Sequence, residues 1–163
     1  MLLLHISDIH FRAPECAQDN DPNRVYRTRM VQDAKARAGA LGPVSAILVG
    51  GDIAFCGAPT EYAAAFTWLA ELARECSCHL ERIYVVPGNH DVDRSLITRS
   101  RQVRNIHKAI KGAEPGARQR ELQAQLLEEA TGRALFQPLS AYNDFAAKFN
   151  CQVYPERIAW KQD

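Results

Sequence analysis

Three short clusters of carboxylate, imidazole and amide side chains are the residues of this chain best suited to chemistry. They are Asp8-Ile9-His10, Gly51-Asp52 and Gly88-Asn89-His90-Asp91. Carboxylate and amide oxygens mixed with imidazole suit Mn, Fe or Zn better than Ca or a soft metal. Residues two apart in extended chain share a face, so Asp8 and His10 can reach one ion. Each cluster alone is a weak signal, but the three together predict a metal site.

Each cluster directly follows a predicted strand. Residues 2–7, 44–49 and 82–86 are short apolar runs, and helical patterns at 24–40 and 59–76 separate them. Strands that alternate with long helical crossovers favour a parallel sheet with both faces covered. The carboxyl ends of parallel strands lie on one edge of the sheet, where ligands bind in open α/β folds. The fold class is therefore α/β, and we expect the three clusters to converge.

The pattern changes after the third strand. Residues 95–149 predict helices only, interrupted at Pro138, and residues 152–160 return to strand-like chemistry. The predicted organisation is an N-terminal βαβαβ half over 1–94, a helical insertion or cap over 95–150, and the start of a further strand over 151–163 in an incomplete domain.

Composition excludes several classes of protein. The chain has 163 residues, 47% of them hydrophobic, and a formal net charge of +1, which is ordinary for one globular domain. Its apolar runs fall far below the ~20 residues needed to cross a bilayer, and its first residues lack the basic start of a signal peptide. Five cysteines without metal-site spacing indicate reduced thiols. We therefore expect a cytoplasmic protein with no membrane partner.

The motifs resemble those of the calcineurin-like metallophosphoesterases. The matching stretches are HISDIHF (5–11), VGGDIAFCG (49–57) and VVPGNHDVDR (85–94). The resemblance covers residues 1–95 and implies the layered parallel-sheet fold of that family. It also implies two divalent metal ions (Mn, Fe or Zn) and hydrolysis of a phosphoester by a metal-bridging hydroxide.

The resemblance assigns roles to the motif residues. Asp8 and His10 would bind the first ion, Asp52 would bridge both ions, and Asn89 would bind the second. His90 would contact the phosphate and assist the leaving group as a general acid. Asp91 would be the catalytic partner that orients His90.

The family's later ligands, a lone histidine and a Gly-His-x-His, have no counterpart here, since His107 is the only histidine after His90. We expect the chain to be the N-terminal part of a longer phosphoesterase, with a further C-terminal domain or chain as partner. The alternative is a degenerate, inactive relative, which the unspoiled motifs disfavour. The chain by itself is expected to bind metal weakly and to show at most trace hydrolysis.

The sequence supports three hypotheses about the substrate and partner. The pattern Gly57…Glu61-Tyr62 is similar to that of cyclic-nucleotide phosphodiesterases and favours a phosphodiester. A metal-dependent nuclease of the same family and a non-catalytic scaffold are the alternatives. Residues 94–120 carry eight basic and one acidic side chain, which indicates either contacts to nucleotide or nucleic-acid phosphates or a solvated helix face.

Four residues in or near the motifs can be interpreted without a role in metal binding or catalysis. We expect His5 to be a packed core histidine and Cys56 a small buried thiol. Glu61 is explained by the helix dipole at the start of a helix. Arg94 is expected either to bind the substrate phosphate or to pair with Asp93.

Overall fold

A three-stranded parallel sheet forms the centre of the molecule in a computed structural model that describes residues 1–159. The strands are β1 (Leu3–Ile6), β2 (Ala46–Val49) and β3 (Ile83–Val85), in the spatial order β1-β2-β3. Ile6 is paired with Val49, and Val49 with Val85, so the three strands end at one level. The expected α/β class and the convergence of the strand ends are confirmed.

Seven α-helices accompany the sheet within residues 1–159. They are α1 (Arg24–Leu41), α2 (Pro59–Glu75), α3 (Arg94–Arg99), α4 (Arg101–Gly112), α5 (Arg118–Leu127), α6 (Glu129–Phe136) and α7 (Ser140–Ala146). The first two are the expected crossover helices. In the described part of the chain, no helix has both the length and the apolar character that crossing a membrane requires.

The main core lies between the sheet and helices α1, α2 and α7. Ile47, Ile83 and Val85 are fully buried in it, and the side chain of Tyr142 on α7 is equally inaccessible. The Tyr142 hydroxyl lies 3.0 Å from the Val85 carbonyl oxygen, to which it donates a hydrogen bond. The last turns of the helical segment are therefore anchored to β3. A second, smaller cluster joins α4 to α6.

The helical segment has more breaks than its sequence pattern predicts. The helix expected over 96–111 is divided at Ser100, whose hydroxyl accepts a hydrogen bond from the Val103 N–H and so begins α4. The helix expected over 118–130 ends at Leu127, because the Glu128 side chain caps the start of α6. Side-chain caps of this kind compete locally with helix continuation.

Two further expectations differ from the structure. Residues 152–159 form a turn closed by a single bridge between Tyr154 and Arg157, where a strand was expected; Trp160 lies outside the described residues. His5 is exposed and is not a core histidine, because β1 is an edge strand with one uncovered face. The boundary between residues 94 and 95 stays a prediction.

Candidate metal centre

The loops that follow β1 and β2 run side by side beyond the ends of their strands. The His10 N–H donates to the Asp52 carbonyl (3.0 Å). The Phe11 N–H donates to the Ile53 carbonyl (2.8 Å), and the Phe55 N–H donates back to Phe11 (3.0 Å). These bonds extend the parallel pairing of the sheet into the loops. They hold the first and second motifs at a fixed separation.

Three residues of these motifs have backbone in the left-handed region. The φ angles are +56° at Asp8, +50° at His10 and +50° at Asp52. Such conformations cost of order 1 kcal/mol or more for a residue with a side chain, and they cluster at functional sites. All three are metal ligands in the sequence-based assignment. The backbone is therefore bent at the positions from which those side chains must be aimed.

One set of potential metal ligands lies close together among the described residues. The ligand atoms of His10, Asp52 and His90 all lie within 4.8 Å of one another, and each residue is half-buried. The rings of His10 and His90 meet edge to face with centroids 4.8 Å apart. This cluster comes from all three strand ends, as the sheet topology requires.

The other two predicted ligands flank this cluster. The Asp8 carboxylate lies outside the group of three, although its backbone N–H is bonded to the Gly51 carbonyl at 3.2 Å. Asn89 is exposed beside His90. The assignments of Asp8 and Asn89 as ligands stay predictions.

His90 is fixed by two hydrogen bonds. Its backbone N–H donates to Oδ1 of Asp52 (2.9 Å), and its Nδ1 lies 2.9 Å from the carbonyl oxygen of Phe55. A carbonyl oxygen can only accept, so Nδ1 carries the proton in this contact. Nε2 is then the nitrogen that can accept or donate a proton toward the cluster.

Asp91 has a different role from the one expected of it. Its carboxylate accepts hydrogen bonds from the N–H groups of Ile53 (3.2 Å), Ala54 (2.9 Å) and Gly88 (2.8 Å). The residue is 1% exposed. The imidazole of His90 is oriented by Phe55, whereas Asp91 joins the third motif loop to the second. The catalytic role was implied by the resemblance of Gly88-Asn89-His90-Asp91 to the family's motif.

The hydroxyl of Tyr62 completes the surroundings of Asp91. It lies 3.0 Å from Oδ1 of Asp91 and 3.1 Å from the carbonyl oxygen of the same residue. Burial raises the pKa of Tyr62 far above its ordinary value, and the Asp91 carboxylate raises it further. The hydroxyl therefore remains a proton donor to Asp91 at every physiological pH.

Glu61 is a second buried carboxylate that holds loops together. It is 1% exposed and accepts hydrogen bonds from the N–H groups of Ala13, Cys56 and Ala58, each at 3.0 Å. The helix dipole alone does not account for these contacts, two of which lie outside the first turn of α2. The sequence signal was Glu61 at the third position of that helix, where acids cap. Its burial and its bond to Ala13 depend on the tertiary fold.

Glycine is required at position 88 by a close approach. A Cβ atom there would collide with the carboxylate and the backbone nitrogen of Asp52. Gly51 meets the same loop from the other side, with a φ of +96° that favours glycine. The third motif loop can therefore pass directly over Asp52.

A cavity of about 490 Å³ adjoins His90. Phe55, Cys56 and Val92 contribute to its wall, together with Arg94 at the start of α3. Cys56 is exposed and not buried as expected. Partial desolvation and the Glu61 carboxylate raise the pKa of the Cys56 thiol, so it remains protonated at neutral pH.

The Asp93 side chain caps the start of α3 and does not form an ion pair with Arg94. Its carboxylate accepts hydrogen bonds from the N–H groups of Ser95 (2.9 Å) and Leu96 (3.1 Å), which makes it the N-cap of α3. Arg94 is exposed at the edge of the cavity. Of the two roles expected for Arg94, contact with a substrate phosphate is the one that this position favours.

The residues of the cluster fit a divalent metal ion. Nδ1 of His10 is buried and makes no hydrogen bond within the described part of the chain. Buried polar atoms are almost always satisfied, and an ion at the cluster is one group that would satisfy this nitrogen. The His10 imidazole and the Asp52 carboxylate are donor types that first-row divalent metals accept, and Asp8 and Asn89 are the further predicted ligands.

Residues 1–151 match the family model of calcineurin-like phosphoesterases. Since the match spans most of the chain, the protein belongs to the calcineurin-like phosphoesterase family, and the resemblance seen in the motifs is confirmed. Comparison with curated proteins gives no match. Family membership and the cluster of His10, Asp52 and His90 together support a metal-dependent hydrolase of phosphoesters.

Proposed function

We propose that the protein hydrolyses phosphodiesters at the cluster formed by His10, Asp52 and His90. The observation that carries the proposal is the convergence of these three side chains from three strand ends, with ligand atoms within 4.8 Å. Nδ1 of His10, which is buried and makes no hydrogen bond within residues 1–159, supports an ion at this position.

Two divalent ions (Mn, Fe or Zn) are the proposed cofactors. His10 and Asp52 would hold the first, and Asp8 is its third proposed ligand. Asp52 would also reach the second ion, together with the side-chain oxygen of Asn89. When bound, the ions supply activation of water and neutralisation of charge on the phosphoryl oxygens.

His90 is the proposed general acid. The Phe55 carbonyl holds the proton on Nδ1 and fixes the plane of the ring. In the imidazolium form, Nε2 also bears a proton and can donate it to the oxygen of the leaving group. The Arg94 guanidinium at the rim of the neighbouring cavity would bind a phosphoryl oxygen.

The cavity beside His90 supports a diester in preference to a monoester. A diester carries an organic group on each side of phosphorus, and the second group needs space next to the reaction centre. The cavity of about 490 Å³ provides that space, and Phe55, Cys56 and Val92 give it an apolar wall. A phosphomonoester that has only one organic group would make no contact with this apolar wall.

The proposal is tested by comparing bis-p-nitrophenyl phosphate with p-nitrophenyl phosphate, each with Mn²⁺, Fe²⁺ or Zn²⁺. We expect metal-dependent release of nitrophenol with a higher kcat/KM for the diester. Val92→Arg, which fills the cavity, should lower the rate for the diester more than the rate for the monoester. A preference for the monoester that Val92→Arg leaves unchanged would contradict the diester assignment.

A further inference from the structure

The basic residues between positions 94 and 120 form an exposed, positively charged surface. All eight are exposed, and no ion pair within 4 Å joins any of them to a carboxylate among residues 1–159. They are Arg94, Arg99, Arg101, Arg104, Lys108, Lys111, Arg118 and Arg120. By contrast, Arg24, Lys35 and Arg37 on α1 each form an ion pair with an acidic residue.

Four of these cations form a stripe along α4. Arg101, Arg104, Lys108 and Lys111 are spaced by three, four and three residues, which places them on one face of the helix. The other face is apolar, since Val103 is fully buried and Ile106 is 5% exposed. The α4 stripe is therefore held outward by the packing of the opposite face on α6.

The stripe follows the candidate metal centre directly in the chain. Arg94 lies at the rim of the cavity beside His90 and begins α3. Ser100 ends α3 and caps α4, so the two helices are consecutive. A polyanion bound along α4 would thus lie on elements that begin at the proposed phosphodiester site.

We propose that the α4 stripe binds the phosphate backbone of a nucleic acid. A row of exposed cations that form no ion pair with a carboxylate in the described part of the chain matches a polymer that carries a phosphate at each repeat. A membrane surface is disfavoured, because the apolar side of α4 is buried and offers nothing to insert between lipids. The inference rests on the proposed function in one respect: a phosphodiester polymer is chosen as the ligand because the nearby site is proposed to hydrolyse phosphodiesters. Binding to the α4 stripe does not itself require hydrolysis.

The test is binding of a fluorescent single-stranded 20-mer, as DNA and as RNA, measured by anisotropy in EDTA so that no hydrolysis occurs. The stripe variant carries Arg101→Gln, Arg104→Gln, Lys108→Gln and Lys111→Gln. The matched control carries Arg24→Gln, Arg29→Gln, Lys35→Gln and Arg37→Gln on α1, which removes the same charge from another helix. Circular dichroism verifies that both variants are folded.

We expect the stripe variant to bind at least about tenfold more weakly, with the slope of log K against log salt reduced by about 3 for four lost phosphate contacts. The α1 control should retain most of the affinity. Equal losses in the two variants, or no binding by the wild-type chain at low salt, would overturn the proposal. So would equal competition by polyglutamate, or tighter binding to vesicles that contain phosphatidylserine.

Failure of this inference is distinguishable from failure of the proposed function. Hydrolysis of bis-p-nitrophenyl phosphate, a small substrate that cannot reach along α4, should be the same in the stripe variant and in the wild-type chain. Nucleic-acid binding without any metal-dependent hydrolysis would support the proposed binding role of the α4 stripe and contradict the proposed phosphodiesterase activity.

Discussion

At the scale of single residues, the site depends on two buried carboxylates that are not themselves among the clustered ligands. Asp91 joins the second and third motif loops, and Glu61 joins the first and second. Each accepts hydrogen bonds from three backbone N–H groups, which satisfies a charge that would be costly to bury alone. The positions of His10, Asp52 and His90 therefore depend on acids whose own chemistry is structural.

Asp91→Asn should destabilise the fold by about 2 kcal/mol, since hydrogen bonds to a charged group are lost. Both oxygens of Asp91 face N–H or O–H donors, so an amide NH₂ in either place meets another donor. Urea unfolding measures the change, with Asp144→Asn on the exposed surface of α7 as control. An unaltered free energy of unfolding with a lowered hydrolysis rate would restore Asp91 as the catalytic partner of His90.

Gly88→Ala should displace Asp52, because the new Cβ would occupy the place of its carboxylate and backbone nitrogen. We expect the affinity for Mn²⁺ to fall about 10–100-fold, as is typical when groups next to a metal ligand are altered. Calorimetric titration with Mn²⁺ measures it. Gly39→Ala is the control, since a Cβ there meets no atom of the described residues within 4 Å. Unchanged affinity in Gly88→Ala would mean that Asp52 is not a ligand.

At the scale of elements, helix caps decide how the segment after β3 is divided. Asp93 caps α3, Ser100 caps α4 and Glu128 caps α6 through their side chains. Each cap lets the chain change direction within one residue. The change at Ser100 turns the helix expected over 96–111 into two shorter ones, and the change at Glu128 ends the helix expected over 118–130 at Leu127. The α4 stripe therefore has an orientation that a continuous helix from residue 96 would not give it.

The cap formed by Asp93 should depend on pH. Burial by itself would raise the pKa of Asp93, but hydrogen bonds from Ser95 and Leu96 outweigh it and lower the pKa below its usual value. A carboxyl group with a lowered folded-state pKa stabilises the fold fully above its unfolded-state pKa of about 3.9. This contribution is lost as the pH falls through the folded-state pKa.

Asp93→Ala should cost about 1 kcal/mol at pH 7, and its deficit relative to the wild-type chain should shrink below about pH 4. Asp93→Asn keeps a capping oxygen without titrating, so it should be close to the wild-type chain at pH 7. Urea unfolding between pH 7 and pH 3 measures all three proteins. A deficit of Asp93→Ala that is the same at both ends of this range would contradict the account.

At the scale of the whole molecule, the sheet, its crossover helices and the convergence of the motifs were predictable from the sequence. The three strands are runs of apolar residues, and the polar clusters follow them at once, so the topology alone brings His10, Asp52 and His90 together. What the sequence could not show is burial. Asp91 and Glu61 have the pattern of a catalytic partner and a helix-end acid, and only the packed loops around them reveal their hydrogen bonds.

An uncovered sheet face and local loop contacts account for the remaining differences. His5 lies in an apolar run that predicts a buried strand, but one face of β1 is uncovered, and Leu3 is exposed on the same face. Cys56 is apolar enough to be buried, yet its backbone N–H is bonded to the buried Glu61 and its side chain is exposed. Residues 152–159 contain strand-forming residues, but the Tyr154–Arg157 bridge closes them into a turn.

The most direct test of the central claim is Mn²⁺-dependent hydrolysis of bis-p-nitrophenyl phosphate by the wild-type chain, Asp52→Asn and Asp144→Asn. The account predicts a slow, metal-dependent rate in the wild-type chain, the same rate in Asp144→Asn, and only the uncatalysed rate in Asp52→Asn. Equal rates in the wild-type chain and Asp52→Asn would contradict a metal site at this cluster. The absence of any rate with Mn, Fe, Ni or Zn would favour the non-catalytic scaffold.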